Sequence, residues 1–109
     1  MIHKELRMNT VELMNKMGLI SEEALTQLQQ KSTNVSCQCP GQLIEIYRHI
    51  QAFTEYQKKC LSQSPQDEMI HKWLETTSLN LEHILSNTIV TLARLEGMID
   101  EKNQVIDDK

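Results

Sequence analysis

The sequence predicts an all-α protein: an antiparallel helical bundle with two short N-terminal helices and a long helical hairpin, paired as a dimer. Ile70, Leu74, Thr77, Leu81, Ile84, Thr88, Leu92, Leu95 and Ile99 recur at alternating spacings of four and three, the seam of a bundle or coiled coil. Ser64-Pro65-Gln66-Asp67 is a helix-restart signal, with Ser64 as N-cap, Pro65 where its missing N–H costs nothing, and Asp67 at the capping-box position. No stretch of useful length alternates with period two, and no repeat recurs at solenoid spacing.

The first helix is expected over the stripe Leu6, Thr10, Leu13, Met14 and Met17, stopped by Gly18. Ser21 then caps a second helix whose first turn carries Glu22 and Glu23, the sign its dipole favours, and whose narrow apolar face is Leu25 and Leu28. Polar residues from Gln29 to Ser36 lead into a cysteine loop, Cys37-Gln38-Cys39-Pro40. From Gly41 to about Ser62, Leu43, Ile46, Tyr47, Ile50, Phe53, Cys60 and Leu61 hold helical spacing. The helix that begins at Pro65 is expected to run along the seam past Gly97.

These elements form one domain: residues 1–36 as an N-terminal helical hairpin, 37–104 as the cysteine loop and long hairpin, and 105–109 as a frayed tail. At 1.5 Å per residue the helix before Pro65 is roughly 33 Å long and the one after it roughly 50 Å. A tight turn makes them antiparallel, so the far part of the seam, Ile84, Thr88, Leu92, Leu95 and Ile99, is the expected interface with another subunit. The core is thin, with Tyr47, Phe53, Tyr56 and Trp73 as its only aromatic residues, and shared burial in a homodimer would thicken it.

A formal net charge of −4 argues against wrapping nucleic acid, which needs a positive surface to displace counterions. A helix-turn-helix at Gly18–Ser21 would lead into the DNA groove with Glu22 and Glu23, facing phosphate with like charge. No stretch approaches the roughly 20 apolar residues of a membrane span, and no basic amphipathic face is present to bind a membrane surface. The N-terminus has no secretory pattern, so the expected location is cytoplasmic, where cysteines stay reduced.

Two thiols one residue apart can share a metal ion, and Cys60 and His71 flank the Ser64-Pro65 turn as candidate further ligands. Cys37, Cys39, Cys60 and His71 would then make a Cys₃His zinc site. About 21 residues of helix hold Cys39 and Cys60 roughly 30 Å apart, so one chain cannot close it; an antiparallel dimer could. Alternatively the thiols act in redox sensing, with Cys39 at a helix N-terminus that favours its thiolate. Glu68 and His71 have the i, i+3 spacing of di-iron bundles but no second such motif, and Glu45 and His49 read as an exposed pair, so no enzyme is expected.

Cys37-Gln38-Cys39-Pro40 with Leu43, Phe53, Tyr56, Cys60, Pro65 and His71 resembles a helical segment of bacterial regulators of the MerR-like type, over residues 37 to 96. The resemblance implies a helical regulatory or oligomerisation module in which the three cysteines and His71 recur together; the winged DNA-reading domain of those regulators is missing. The expected function is a homo-oligomeric helical protein-interaction module with structural zinc. The alternatives are a metal- or thiol-responsive, transcription-associated regulator and an orphan helical-bundle enzyme.

Overall fold

The computed structural model describes residues 12–34, 37–60 and 63–106. Three helices occupy most of this: α1, Glu22–Lys31, followed by a single 3₁₀ turn; α2, Cys39–Lys59; and α3, Pro65–Leu95. Among the described residues there is no extended strand, only two isolated antiparallel bridge pairs.

α1 and α3 start where a serine side chain satisfies one of their first N–H groups. Ser21 Oγ accepts from the Ala24 N–H at 3.1 Å, and Ser64 Oγ accepts from the Asp67 N–H at the same distance. Asp67 reaches back to accept from the Gln63 N–H at 3.0 Å, which fixes the turn between α2 and α3. Pro40 lies in the first turn of α2, which begins at Cys39.

α2 and α3 lie antiparallel, and α1 crosses one side of the pair. Ala24, Leu25 and Leu28 of α1 pack with Ile44 and Tyr47 of α2 and with Ile89 and Ala93 of α3. The Arg48 guanidinium closes the rim of this contact at 2.9 Å from Glu22. The molecule is a slab of 55 × 37 × 18 Å, about two helix layers thick.

The expected first helix falls partly on residues 1–11, so Leu6 and Thr10 lie outside the described residues. From Glu12 to Ser21 the chain is not helical. Met14 pairs with Ile20 across a tight loop in which Asn15 Oδ1 accepts from the N–H groups of Met17 and Leu19, at 2.8 and 3.1 Å. An Asn side chain that captures nearby N–H groups competes with a helix, and Gly18, at φ +79°, completes the reversal. Leu13 enters the core, while Met17, counted on the same stripe, is exposed.

The helix from Pro65 also ends before Ile99. Gly97, at φ +78°, lets the Met98 N–H bond the Ala93 carbonyl at 2.8 Å and its own N–H bond the Arg94 carbonyl at 3.1 Å, the Schellman arrangement. Met98 and Ile99 then turn into the core. Val105, placed by the sequence reading in a frayed tail, pairs with Ile99 and packs against the core; residues 107–109 lie outside the described residues.

The loop that follows Ile99 repeats the one near the N-terminus. Asp100 Oδ1 accepts from Lys102 and Gln104, both at 2.9 Å, as Asn15 does from Met17 and Leu19. Asn103, at φ +63°, stands where Gly18 stands. The outer bonds match as well: Ser21 N–H to the Leu13 carbonyl at 2.8 Å and Ile106 N–H to the Met98 carbonyl at 2.9 Å. Both loops are hydrogen-bonded turns closed by a left-handed residue, and both deliver their flanking residues to one core.

Candidate functional site

The four expected zinc ligands fall at two ends of the α2–α3 hairpin. Cys37 and Cys39 sit together at the start of α2, where the Cys39 N–H points at Cys37 Sγ at 3.4 Å. Cys60 is the C-cap of α2, about 30 Å away along a straight helix. His71 lies near that second end, on α3, with Nδ1 2.8 Å from Gln57 Oε1 and Nε2 3.6 Å from Asp67. None of the three cysteines is in a disulfide. Among the described residues, no three His, Cys, Asp or Glu side chains are grouped to hold one ion.

The Cys39 thiol is pushed above its ordinary pKa, first by its hydrogen bond with Cys37, then by the charge of Cys37, a small loss of solvation and the carboxylate of Glu96. This is the reverse of the expectation for a helix N-terminus, and the reverse of what a reactive thiol needs. Glu96 exerts its effect because α3 returns antiparallel and brings its C-cap to the start of α2.

The other unusual feature is the contact between α2 and α3. Along the half of the hairpin not covered by α1 the buried side chains are polar: Thr54 and Gln57 on α2, Ser78, Glu82 and Ser86 on α3. Thr54 Oγ1 lies 2.6 Å from Glu82 Oε2 and 2.7 Å from Ser78 Oγ. The Ser86 hydroxyl accepts from the Ile20 N–H at 3.0 Å, fastening the first terminal loop to α3. Nearby, Tyr47 is fully buried with no hydrogen-bond partner for its hydroxyl. Burial raises its pKa; Ser86 lies close enough to offset this slightly without meeting hydrogen-bond geometry.

The large apolar side chains are on the outside. Ile46, Phe53 and Tyr56 on α2, and Met69, Ile70, Trp73, Leu81, Ile84 and Leu95 on α3, are between 40% and 79% exposed. The apolar seam seen in the sequence therefore faces outward, and the smaller, polar face of α3 meets α2. Of the expected interface residues, Ile84, Thr88 and Leu95 are exposed and Leu92 is half-buried; Ile99 is in the core, carried there by the turn at Gly97. At 100° per residue, Met69, Ile70, Trp73, Leu74, Thr77, Asn80, Leu81, Ile84, Asn87, Thr88, Thr91, Leu92 and Leu95 share one half of α3. The arc they span, about 140° wide, bears no charge, with Asp67 just beyond one edge and Arg94 just beyond the other. Glu68, Lys72, Glu75 and Glu82 lie on the far side of the helix.

Both apolar stripes lie on the same side of the slab. Arg48 of α2 and Ser86 of α3, which reach α1 and the first terminal loop, project from the opposite flanks of their helices. The apolar side is thus the face that α1 leaves bare. Since one aromatic side chain carries about 150–250 Å² of surface, three half-exposed aromatics and six aliphatic side chains present on the order of 800 Å², one partner's share of a standard interface. Among the described residues no helix is long and apolar enough to cross a membrane.

The chain matches no model of a protein family, no curated protein and no solved structure.

Proposed function

We propose that this chain is a homo-oligomeric helical interaction module in which the α2–α3 hairpins of two copies pack face to face into a four-helix bundle. The observation that carries the reading is the inverted polarity of the hairpin, with Thr54, Ser78 and Glu82 inside and Phe53, Trp73 and Ile84 outside. Burial of apolar surface is the main driving force for association, and exposed patches beyond a few hundred Å² are unusual on monomers. A second copy is the favoured partner because a two-fold contact sets each residue against a copy of the same surface, and the uncharged stripe of α3 meets itself without repulsion. A partner chosen by charge would need ion-pair positions along the edges of α3's seam, where Trp73, Asn80 and Asn87 stand instead.

Sedimentation equilibrium on the full chain tests this. The wild-type protein is expected at twice its monomer mass, and Ile84→Glu and Trp73→Glu at monomer mass with helical circular dichroism retained. A wild-type protein that stays monomeric up to its solubility limit would refute the reading. Antiparallel pairing also sets the Cys37–Cys39 end of one copy against the Cys60–His71 end of the other, an arrangement in which these residues can share zinc. Metal analysis of the same sample tests that addition separately.

A further inference from the structure

We propose that a cleft on the opposite face of the hairpin, floored by Glu82, receives one organic cation: a primary ammonium or guanidinium group on a short apolar stem. Glu82 is 5% exposed, yet it forms no ion pair among the described residues. One carboxylate oxygen, Oε2, takes the Thr54 hydroxyl at 2.6 Å, and Glu82 is part of the lining of the cleft. A carboxylate removed from water is costly unless a counter-charge reaches it, and in low dielectric the attraction for a cation that does reach it is strong.

The cleft is the right size and lining for such a group. It is open to solvent, with a volume of ≈ 430 Å³, and has Met17, Leu19, Ala52 and Leu79 as apolar walls with Gln51 beside them. That volume lies within the range of small-ligand sites, and the walls suit a short alkyl stem. Lys58, at the mouth, is turned to Glu55 at 3.6 Å. Because the wall formed by Met17 and Leu19 belongs to the first terminal loop, the cleft is on the side of the hairpin that carries α1. It does not depend on the self-association surface, and either proposal can fail alone.

The test is a methyl and amide NMR titration of the full chain with n-butylammonium chloride, against sodium chloride at equal ionic strength. Saturable shifts are expected at Leu19 and Leu79. n-Butanol, the neutral analogue, is expected to bind at least about tenfold more weakly, as is butylammonium to Glu82→Gln, which retains an acceptor for Thr54. Ala52→Leu fills the cleft while leaving Glu82 in place, and is expected to abolish the shifts without lowering the unfolding midpoint; it decides the matter should Glu82→Gln fold poorly. Equal binding of butanol, undiminished binding by Glu82→Gln or Ala52→Leu, or no saturable shift in the wild type would each overturn the proposal. Tighter binding of Nα-acetyl-lysine methylamide than of butylammonium would identify a protein side chain as the occupant, and equal binding a free amine.

Discussion

The Thr54 hydroxyl, on α2, and the Glu82 carboxylate, on α3, meet at 2.6 Å in the middle of the hairpin, where a helical bundle ordinarily places leucines. Thr54→Val removes the side-chain hydroxyl that donates to a buried carboxylate. It is expected to lower stability by about 2–3 kcal/mol in urea unfolding at fixed protein concentration. Thr54→Ser should keep most of the loss from appearing. Replacing both partners, as Thr54→Val with Glu82→Leu, should restore wild-type stability or exceed it, because no charge is then left buried.

Trp73 is the only tryptophan in the chain and is 66% exposed on the uncharged stripe of α3. Its fluorescence therefore reports directly on the proposed contact. On dilution from high to low concentration the emission maximum of the wild type is expected to move to longer wavelength, while Ile84→Glu should show the long-wavelength spectrum throughout. A maximum independent of concentration in both would place Trp73 outside any contact.

Tyr47 buries a hydroxyl that has no hydrogen-bond partner. Tyr47→Phe is expected to raise stability by about 1 kcal/mol, since it removes a desolvated group that contributes nothing in return. Burial raises the tyrosine pKa in the fold, so the unfolded chain ionises first. The contribution is fully present below the ordinary tyrosine value of about 10 and is lost as pH rises past it. Unfolding midpoints measured across that range should fall more steeply for the wild type than for Tyr47→Phe.

Asn15 and Asp100 hold the two matching loops by the same pair of acceptor contacts. Asp100→Asn is accordingly expected to change stability by less than about 0.5 kcal/mol, whereas Asp100→Ala, which strands two N–H groups, should cost about 1–2 kcal/mol. Gly97→Ala meets no atom within 4 Å, so its expected cost of about 1 kcal/mol comes only from its φ of +78°. Thermal or urea unfolding distinguishes these.

The raised pKa of Cys39 has a kinetic consequence. Its thiolate fraction at neutral pH is depressed, so its alkylation by iodoacetamide, followed by peptide mass spectrometry, should rise only at higher pH than that of an ordinary cysteine. Cys37→Ser removes the largest cause and is expected to speed the reaction at Cys39; Glu96→Gln should do so by less.

Much of the helical framework was legible because it is written in local chemistry. Ser21 and Ser64 are caps wherever the chain around them goes, and Pro65 and Asp67 point to a helix start without reference to any partner. The two misread segments were decided by residues with other options. Leu13, Met14 and Met17 have helical spacing, but Asn15 can bind its own neighbours' N–H groups and Gly18 can take positive φ, and together these outweigh the stripe. At the other end the seam continues through Gly97 to Ile99 by count alone, while the backbone turns. A signal for both loops is present in retrospect: an apolar pair, Asn15 or Asp100, then three residues on Gly18 or Asn103, then another apolar residue at Ile20 or Val105. The orientation of α3 was hidden for a different reason. Periodicity identifies which residues share a face, but whether α2 or some other surface covers it depends on packing, and here the small polar residues lie inward.

The two terminal loops join the first and last described segments of the chain in one core, with Leu13 and Ile20 beside Met98 and Ile99. The hairpin's contacts span a single turn, whereas this clasp closes a loop of nearly the whole chain, so its entropy cost is met only once the rest is in place. Substitutions at Leu13 or Met98 should therefore accelerate unfolding and leave the folding rate almost unchanged, while those at the α2–α3 contact should slow folding; stopped-flow chevrons separate the two. On this account the repeated loop is a latch rather than a nucleus: it governs how long the folded state lasts, not how soon it is reached.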